Sequence, residues 1–150
     1  MKKNILLLIT LLLTAGLCAC GQKTAAAPNM EERFESIKAA APDTQMLVVP
    51  PEKGVILFGI AKEDCAQELV AICQNSLKAD EYWLIEAVDS AAADRIEAAA
   101  KARLEQKLAE LETYLPEQYE VVKQARLLRQ GNCVILLVSP QAETLAKLFA

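Results

Sequence analysis

Histidine is absent from this chain, and that absence alone removes much of enzyme chemistry. Without an imidazole there is no Ser-His-Asp or Cys-His nucleophile system, no His-ligated zinc or haem, and no His-based pH switch. The sequence also lacks a CxxC pair, a phosphate-cradling Gly-rich loop, a GxSxG elbow and an EF-hand-like loop of Asp, Asn and Gly. Aromatic residues make up 5% of the chain, and no Lys/Arg-rich stretch is interleaved with them. With 16 basic residues against 20 acidic ones, the net charge of −4 argues against nucleic acid as a partner. What is present suits one small domain: 150 residues, 53% hydrophobic and 24% charged, are too apolar for a disordered chain and too few for two sizeable cores.

The first twenty residues read as an export signal. Lys2 and Lys3 form a positive start, and Ile5 to Leu17 an apolar stretch interrupted only by Thr10, Thr14 and Gly16. The uncharged run from Asn4 to Ala19 is shorter than the roughly 20 residues a membrane-spanning helix requires. Leu17-Cys18-Ala19-Cys20-Gly21 resembles the lipobox of bacterial lipoproteins, in which a diacylglycerol is joined to the Cys thiol and the leader is cut just before it. Ala19 is the small residue expected before the cut and Leu17 the residue expected three places before the Cys. Cys18 fails the same test, because Leu17 would precede it. Residues 1–19 are thus expected to be a lipoprotein signal peptide, Cys20 the lipidated residue, 20–29 a short tether and 30–150 a single domain. The alternative is an ordinary secretory signal with two incidental cysteines.

Loss of Lys2 and Lys3 with the leader would take the net charge from −4 to −6. Such a domain gains nothing from anionic headgroups, so the expected membrane association comes from the lipid, at about 0.8 kcal/mol per buried CH₂. Beyond Cys20 the mature chain keeps Cys65, Cys73 and Cys133, an odd number that allows at most one disulfide. Three small, buried, metal-free hydrophobes are the expected state. Unpaired thiols in an exported protein suit a weakly oxidising or anaerobic setting. No cofactor is expected apart from the covalent diacylglycerol.

The spacing of apolar residues predicts an α+β fold: a small, mainly antiparallel sheet packed against several helices, one of them long and amphipathic. A first helix is expected over Met30 to Ala40, capped by Asn29, with Met30, Phe34, Ile37 and Ala41 at helical spacing and Pro42 behind it. A short extended piece at Met46 to Val49 precedes the breaker Pro50-Pro51-Glu52-Lys53-Gly54, and the apolar Val55 to Phe58 is punctuated by Gly59. A second helix is expected at Glu63 to Gln74, with Cys65, Leu69, Ile72 and Cys73 on one side, then a strand over Glu81 to Val88. The long helix runs from Ala91 to Leu115, capped by Asp89 or Ser90. Ile96, Ala100, Leu104, Leu108, Leu111 and Leu115 form its stripe, and Glu97, Lys101 and Glu105 its charged outer face. Pro116 opens a short helix to Val122. Gln124 to Arg129 and Asn132 to Val138 read as a β-hairpin around Gln130-Gly131, its second strand central and covered on both faces. A last helix starts near Ser139-Pro140, with Leu145, Leu148 and Phe149 as its packing face.

Several stretches together resemble one family. Tyr114-Leu115-Pro116-Glu117-Gln118-Tyr119-Glu120-Val121-Val122-Lys123, then Gly131-Asn132 and the apolar strand to Val138-Ser139, are similar to the lipoprotein family named for domain of unknown function 4358, found in Gram-positive gut bacteria. Phe58-Gly59-Ile60 resembles that family's Tyr-Gly-Ile element, and Ala79-Asp80-Glu81 its Ala-Asp-Glu. The chain departs from the pattern at Cys133, where an aromatic is expected after Gly-Asn, and at Ala61, where an acidic residue is expected. The resemblance implies an exported protein on the outer face of the cytoplasmic membrane. It implies no known activity, and no catalytic residue is carried over.

Chemistry-bearing candidates are few. Glu81 with Glu86, or Asp89 with Asp94, form potential acid/base pairs, but solvated surface carboxylates are the expected reading of each. Tyr82, Trp83, Tyr114 and Tyr119 combine an apolar body with a polar handle, which suits docking if they are exposed and core packing if they are not. The expected function is a non-catalytic surface module that binds a protein or envelope component. The alternative is a ligand-binding or enzymatic domain whose site is assembled only by the fold.

Overall fold

The computed structural model describes residues 29–150; the leader, Cys20 and nearly all of the tether lie outside the described residues. The described chain begins with helix α1 (Met30–Ala40), whose first turn is closed by the Asn29 side chain accepting from the amides of Glu31 and Glu32. Strand β1 (Met46–Val49) follows, then a 3₁₀ turn at Pro51–Lys53 that leads straight into the single-turn helix α2 (Gly54–Phe58). Strands β2 (Cys65–Cys73) and β3 (Glu81–Ala87) precede the long helix α3 (Ser90–Leu111) and the shorter α4 (Pro116–Lys123). The chain closes with the hairpin β4 (Arg126–Gln130) and β5 (Cys133–Val138), helix α5 (Ala142–Ala146) and a last 3₁₀ turn at Lys147–Phe149.

All strand pairs are antiparallel, in the order β1-β2-β3-β5-β4. The protein is therefore α+β, with the sheet sandwiched between two helical layers. Alternation along β5 shows the arrangement most plainly. Val134, Leu136 and Val138 face α3 together with Trp83, Ile85 and Val70. Cys133, Ile135 and Leu137 face α1 and α5 together with Tyr82, Leu84 and Ala71. Every residue of β5 is buried, as expected for a strand covered on both sides. Helix α3 contributes Ala92, Ala93, Ile96 and Ala100 to the first layer. Its small residues let the helix lie close to the sheet, while Leu104, Leu108 and Leu111 pack at the margin.

The segment expected as a second helix, Glu63 to Gln74, is instead β2 with a 3₁₀ turn at Lys62–Asp64 before it. Leu69 and Ile72 satisfy a helical spacing, but Leu69 and Ala71 also alternate with Val70 and Ile72 across a strand, and short apolar runs are ambiguous between the two. Pairing with both β1 and β3 decides the matter, because the register Leu69↔Leu84 and Val70↔Trp83 buries both faces at once. As a strand, β2 holds Cys65 and Cys73 roughly 26 Å apart. The long helix stops at Leu111, so Leu115 lies past its end at the start of α4. Val88 falls outside β3 and is exposed, and Leu148 is also exposed rather than packed.

The hairpin turns on Gly131-Asn132, where Gly131 adopts φ +59°. A Cβ there would meet no atom within 4 Å, so Gly131→Ala tests backbone conformation alone. It should cost about 1 kcal/mol, read as a lower urea midpoint with an unchanged slope.

Candidate functional site

At the start of β3 two adjacent acidic side chains point to opposite faces of the sheet, and each organises its surroundings. Glu81 faces α3 and is fully buried. Its carboxylate accepts from Arg103 Nη2 at 2.9 Å and Trp83 Nε1 at 2.8 Å, and lies 3.0 Å from Lys107 Nζ. Lys107 also donates to the Ala79 carbonyl at 2.8 Å, and Ala79 N–H donates to Gln118 Oε1 of α4 at 2.9 Å. The Arg103 guanidinium lies over the Phe58 ring of α2, 5.4 Å from its centroid, and that ring meets Trp83 edge-on at 5.5 Å. Burial alone raises the Glu81 pKa, but the Arg103 hydrogen bond and the two cationic charges outweigh it, so the carboxyl sits below its ordinary value of 4.5. One carboxylate thereby joins β3, α2, α3 and, through Ala79, α4.

On the other face, Asp80 borders a cleft of about 360 Å³ at the end of the sheet where β2 and β5 finish and β3 begins. Cys73, Ser139, Lys78 and Gln141 share the wall with it, and Thr44 from the α1–β1 loop closes one side. The wall is tied together by Cys73 N–H to the Asp80 carbonyl at 3.0 Å and by Gln141 N–H to Ser139 Oγ at 3.1 Å. Burial pushes the Asp80 carboxyl above its ordinary value, against smaller opposing effects of its own backbone, Lys78, Ser139 and Lys107. Tyr82 is buried beside this wall, and its hydroxyl makes no hydrogen bond of good geometry. Its pKa is also raised, chiefly by burial, with the Ser139 hydroxyl acting in the opposite sense. The cleft offers hydroxyls, amides, a thiol and a carboxyl with a raised pKa. That set can hold a small polar molecule by hydrogen bonds, but contains no imidazole to activate a nucleophile.

The residues singled out in the sequence are scattered. Tyr82 and Trp83 are in the two cores and unavailable for docking, whereas Tyr114 is exposed and Tyr119 half-buried beneath Lys123. Glu81 and Glu86 point to opposite faces of β3 and cannot act as a pair; Glu86 accepts from Gln67 at 2.8 Å. Glu81 is also no solvated carboxylate, a correction forced by Arg103 and Lys107, which arrive from a helix more than twenty residues downstream. Asp89 caps α3 through the Ala92 amide at 2.7 Å, and Asp94 pairs with Arg129 at 3.1 Å. Cys65, Cys73 and Cys133 are free thiols, and burial pushes that of Cys65 up to about 12. Among the described residues, no group of three or more His, Cys, Asp or Glu side chains is placed to hold a metal ion.

The fold is a small α+β domain, a five-stranded antiparallel sheet between helices, with a polar cleft at one end of the sheet. Residues 55–139 match the family described as Domain of unknown function (DUF4358), and the chain belongs to that family. No curated protein and no solved structure matches the chain significantly. The matched span runs from α2 to the end of β5 and contains Phe58, Glu81, Arg103, Lys107 and Gln118, all of the buried network.

Opposite pH behaviour is expected of the two acids. The stabilising contribution of Glu81 is full above 4.5 and is lost as pH falls through its lowered folded value. Glu81→Gln should cost about 3–5 kcal/mol at neutral pH by leaving two buried cations short of a counter-charge. Asp80, with its raised folded value, contributes stability below 3.8 that is lost as pH rises through that value. Asp80→Asn should therefore raise stability at pH 7, with the gain vanishing below pH 3.8. Chemical denaturation at several pH values reads both effects.

Proposed function

We propose that this protein is a membrane-tethered envelope lipoprotein whose single domain is a non-catalytic binding module. The observation that carries this reading is Leu17-Cys18-Ala19-Cys20 behind a short apolar leader, set ten residues before the first helix of the domain. Among the described residues, no helix is long and apolar enough to cross a membrane. A tether of about ten residues spans at most ~30 Å, which confines the domain to a thin layer above the bilayer. Confinement raises its effective concentration for partners in that layer, so weak docking suffices. The exposed Tyr114 and half-buried Tyr119 are the aromatic candidates for that contact.

A second reading has its own support in the cleft at Asp80 and Ser139, whose size suits a small polar ligand. Three measurements test the tether and separate the readings. Cys20→Ser should abolish metabolic labelling by a fatty acid; a variant that is still labelled overturns the tether. In-cell crosslinking should recover an envelope partner, less of it after Tyr114→Ala with the melting temperature unchanged. A small molecule seen by native mass spectrometry, lost on Asp80→Asn with no partner crosslinked, favours the cleft.

A further inference from the structure

Helix α2 carries an unusual density of exposed apolar surface. Ile56 is 83% exposed, and its neighbours Val55 and Leu57 are each about half exposed. Leu47 and Val48 of the preceding edge strand are also exposed, so five apolar residues between 47 and 57 face water. This segment is held firmly. Phe58 is locked into the core against Trp83, Gly59 ends the helix at φ +71°, and Gly54 abuts Glu68 so closely that a Cβ would lie 2.6 Å from its carboxylate oxygen.

Its position gives it a meaning. Met30 N–H donates to Gln67 Oε1 at 3.3 Å, and Asn29 and Met30 border the same hollow as Val48 and Pro51. The first described residues therefore sit beside Val48 and the Pro51 turn that leads into α2, at the end of the sheet where β2 starts and β3 finishes. Cys20 is nine residues upstream of Asn29, a reach of at most about 30 Å. Tyr114 lies beyond the far end of the 22-residue α3.

We propose that the α2 turn, Val55-Ile56-Leu57, rests in the headgroup–acyl boundary of the bilayer and fixes the orientation of the tethered domain. The occupant is a lipid surface because the lipid-bearing Cys20 would hold this end of the domain within reach of one. The inference rests on lipidation of Cys20. An acidic domain has little attraction of its own for anionic headgroups, so the turn orients a protein that the lipid already holds.

The test uses the mature lipidated chain reconstituted in phosphatidylcholine vesicles with brominated acyl chains, which quench nearby tryptophan. The buried Trp83 is a constant background. Emission from Ile56→Trp should be quenched about threefold more than that from Tyr114→Trp, reflecting insertion to the depth of interfacial side chains. Equal quenching of the two variants on lipidated, vesicle-bound protein overturns the orientation and leaves the tether intact. Unquenched Ile56→Trp in a vesicle-bound dimer overturns it too, because a second copy then covers the turn. Mature protein purified from membranes that proves to carry no lipid on Cys20 overturns both the tether and the orientation.

Discussion

A buried carboxylate with two cationic partners is the constraint on which the rest of this fold hangs. Glu81 loses its water entirely, which costs several kcal/mol unless the charge is matched, and Arg103 and Lys107 match it from successive turns of α3. The ion pairs thus fix how far along its own axis α3 can slide on the sheet, something the greasy contacts of Ala93, Ile96 and Ala100 do not specify. Phe58 and Gln118 extend that registry to α2 and α4. Such a network adds less to net stability than to uniqueness of the packing, because an apolar replacement of equal shape often does as well energetically.

Elements governed by local rules were legible from the amino-acid order. Helix α1 with its Asn29 cap, α4 behind Pro116, and the hairpin around Gly131 each follow from a cap, a breaker or a turn residue acting within a few positions. Strand β2 was not, because its Ala- and Leu-containing run fits a helix until β1 and β3 lie on either side of it. The Glu81 network was hidden for the same reason: its partners are 22 and 26 positions away, and no spacing rule links a strand residue to a following helix. The cleft is more distant still, assembled from the α1–β1 loop, the ends of β2 and β5 and the start of β3. Tyr82 and Trp83 suit docking or core packing by sequence alone, and the central place of β3 in the sheet puts one in each core.

The domain is polar in the directional sense. Its first described residues lie at the end of the sheet where β2 starts, whereas the cleft beside Asp80 and Ser139 lies at the other, with the exposed Tyr114 next to Leu115, which shares a hollow with Lys78. The cleft and the exposed tyrosine therefore share an end, and a ligand or partner engaging there would not pass the end at which residue 29 enters the domain.

The two sheet edges differ in a way that bears on self-association. Along β4, Arg126 reaches Glu143, Arg129 reaches Asp94 and Glu97, and the Gln130 amide donates to the Phe149 carbonyl, so side chains from both helical layers strap that border. Strand addition there would have to displace them. Among the described residues the border at β1 carries no such straps, but it is four residues long and runs directly into Pro50-Pro51, neither of which can donate a ladder hydrogen bond. Under the proposed tether neighbouring copies would share one surface at raised effective concentration, and a sheet strapped on one side and cut short on the other resists zipping edge to edge into fibres.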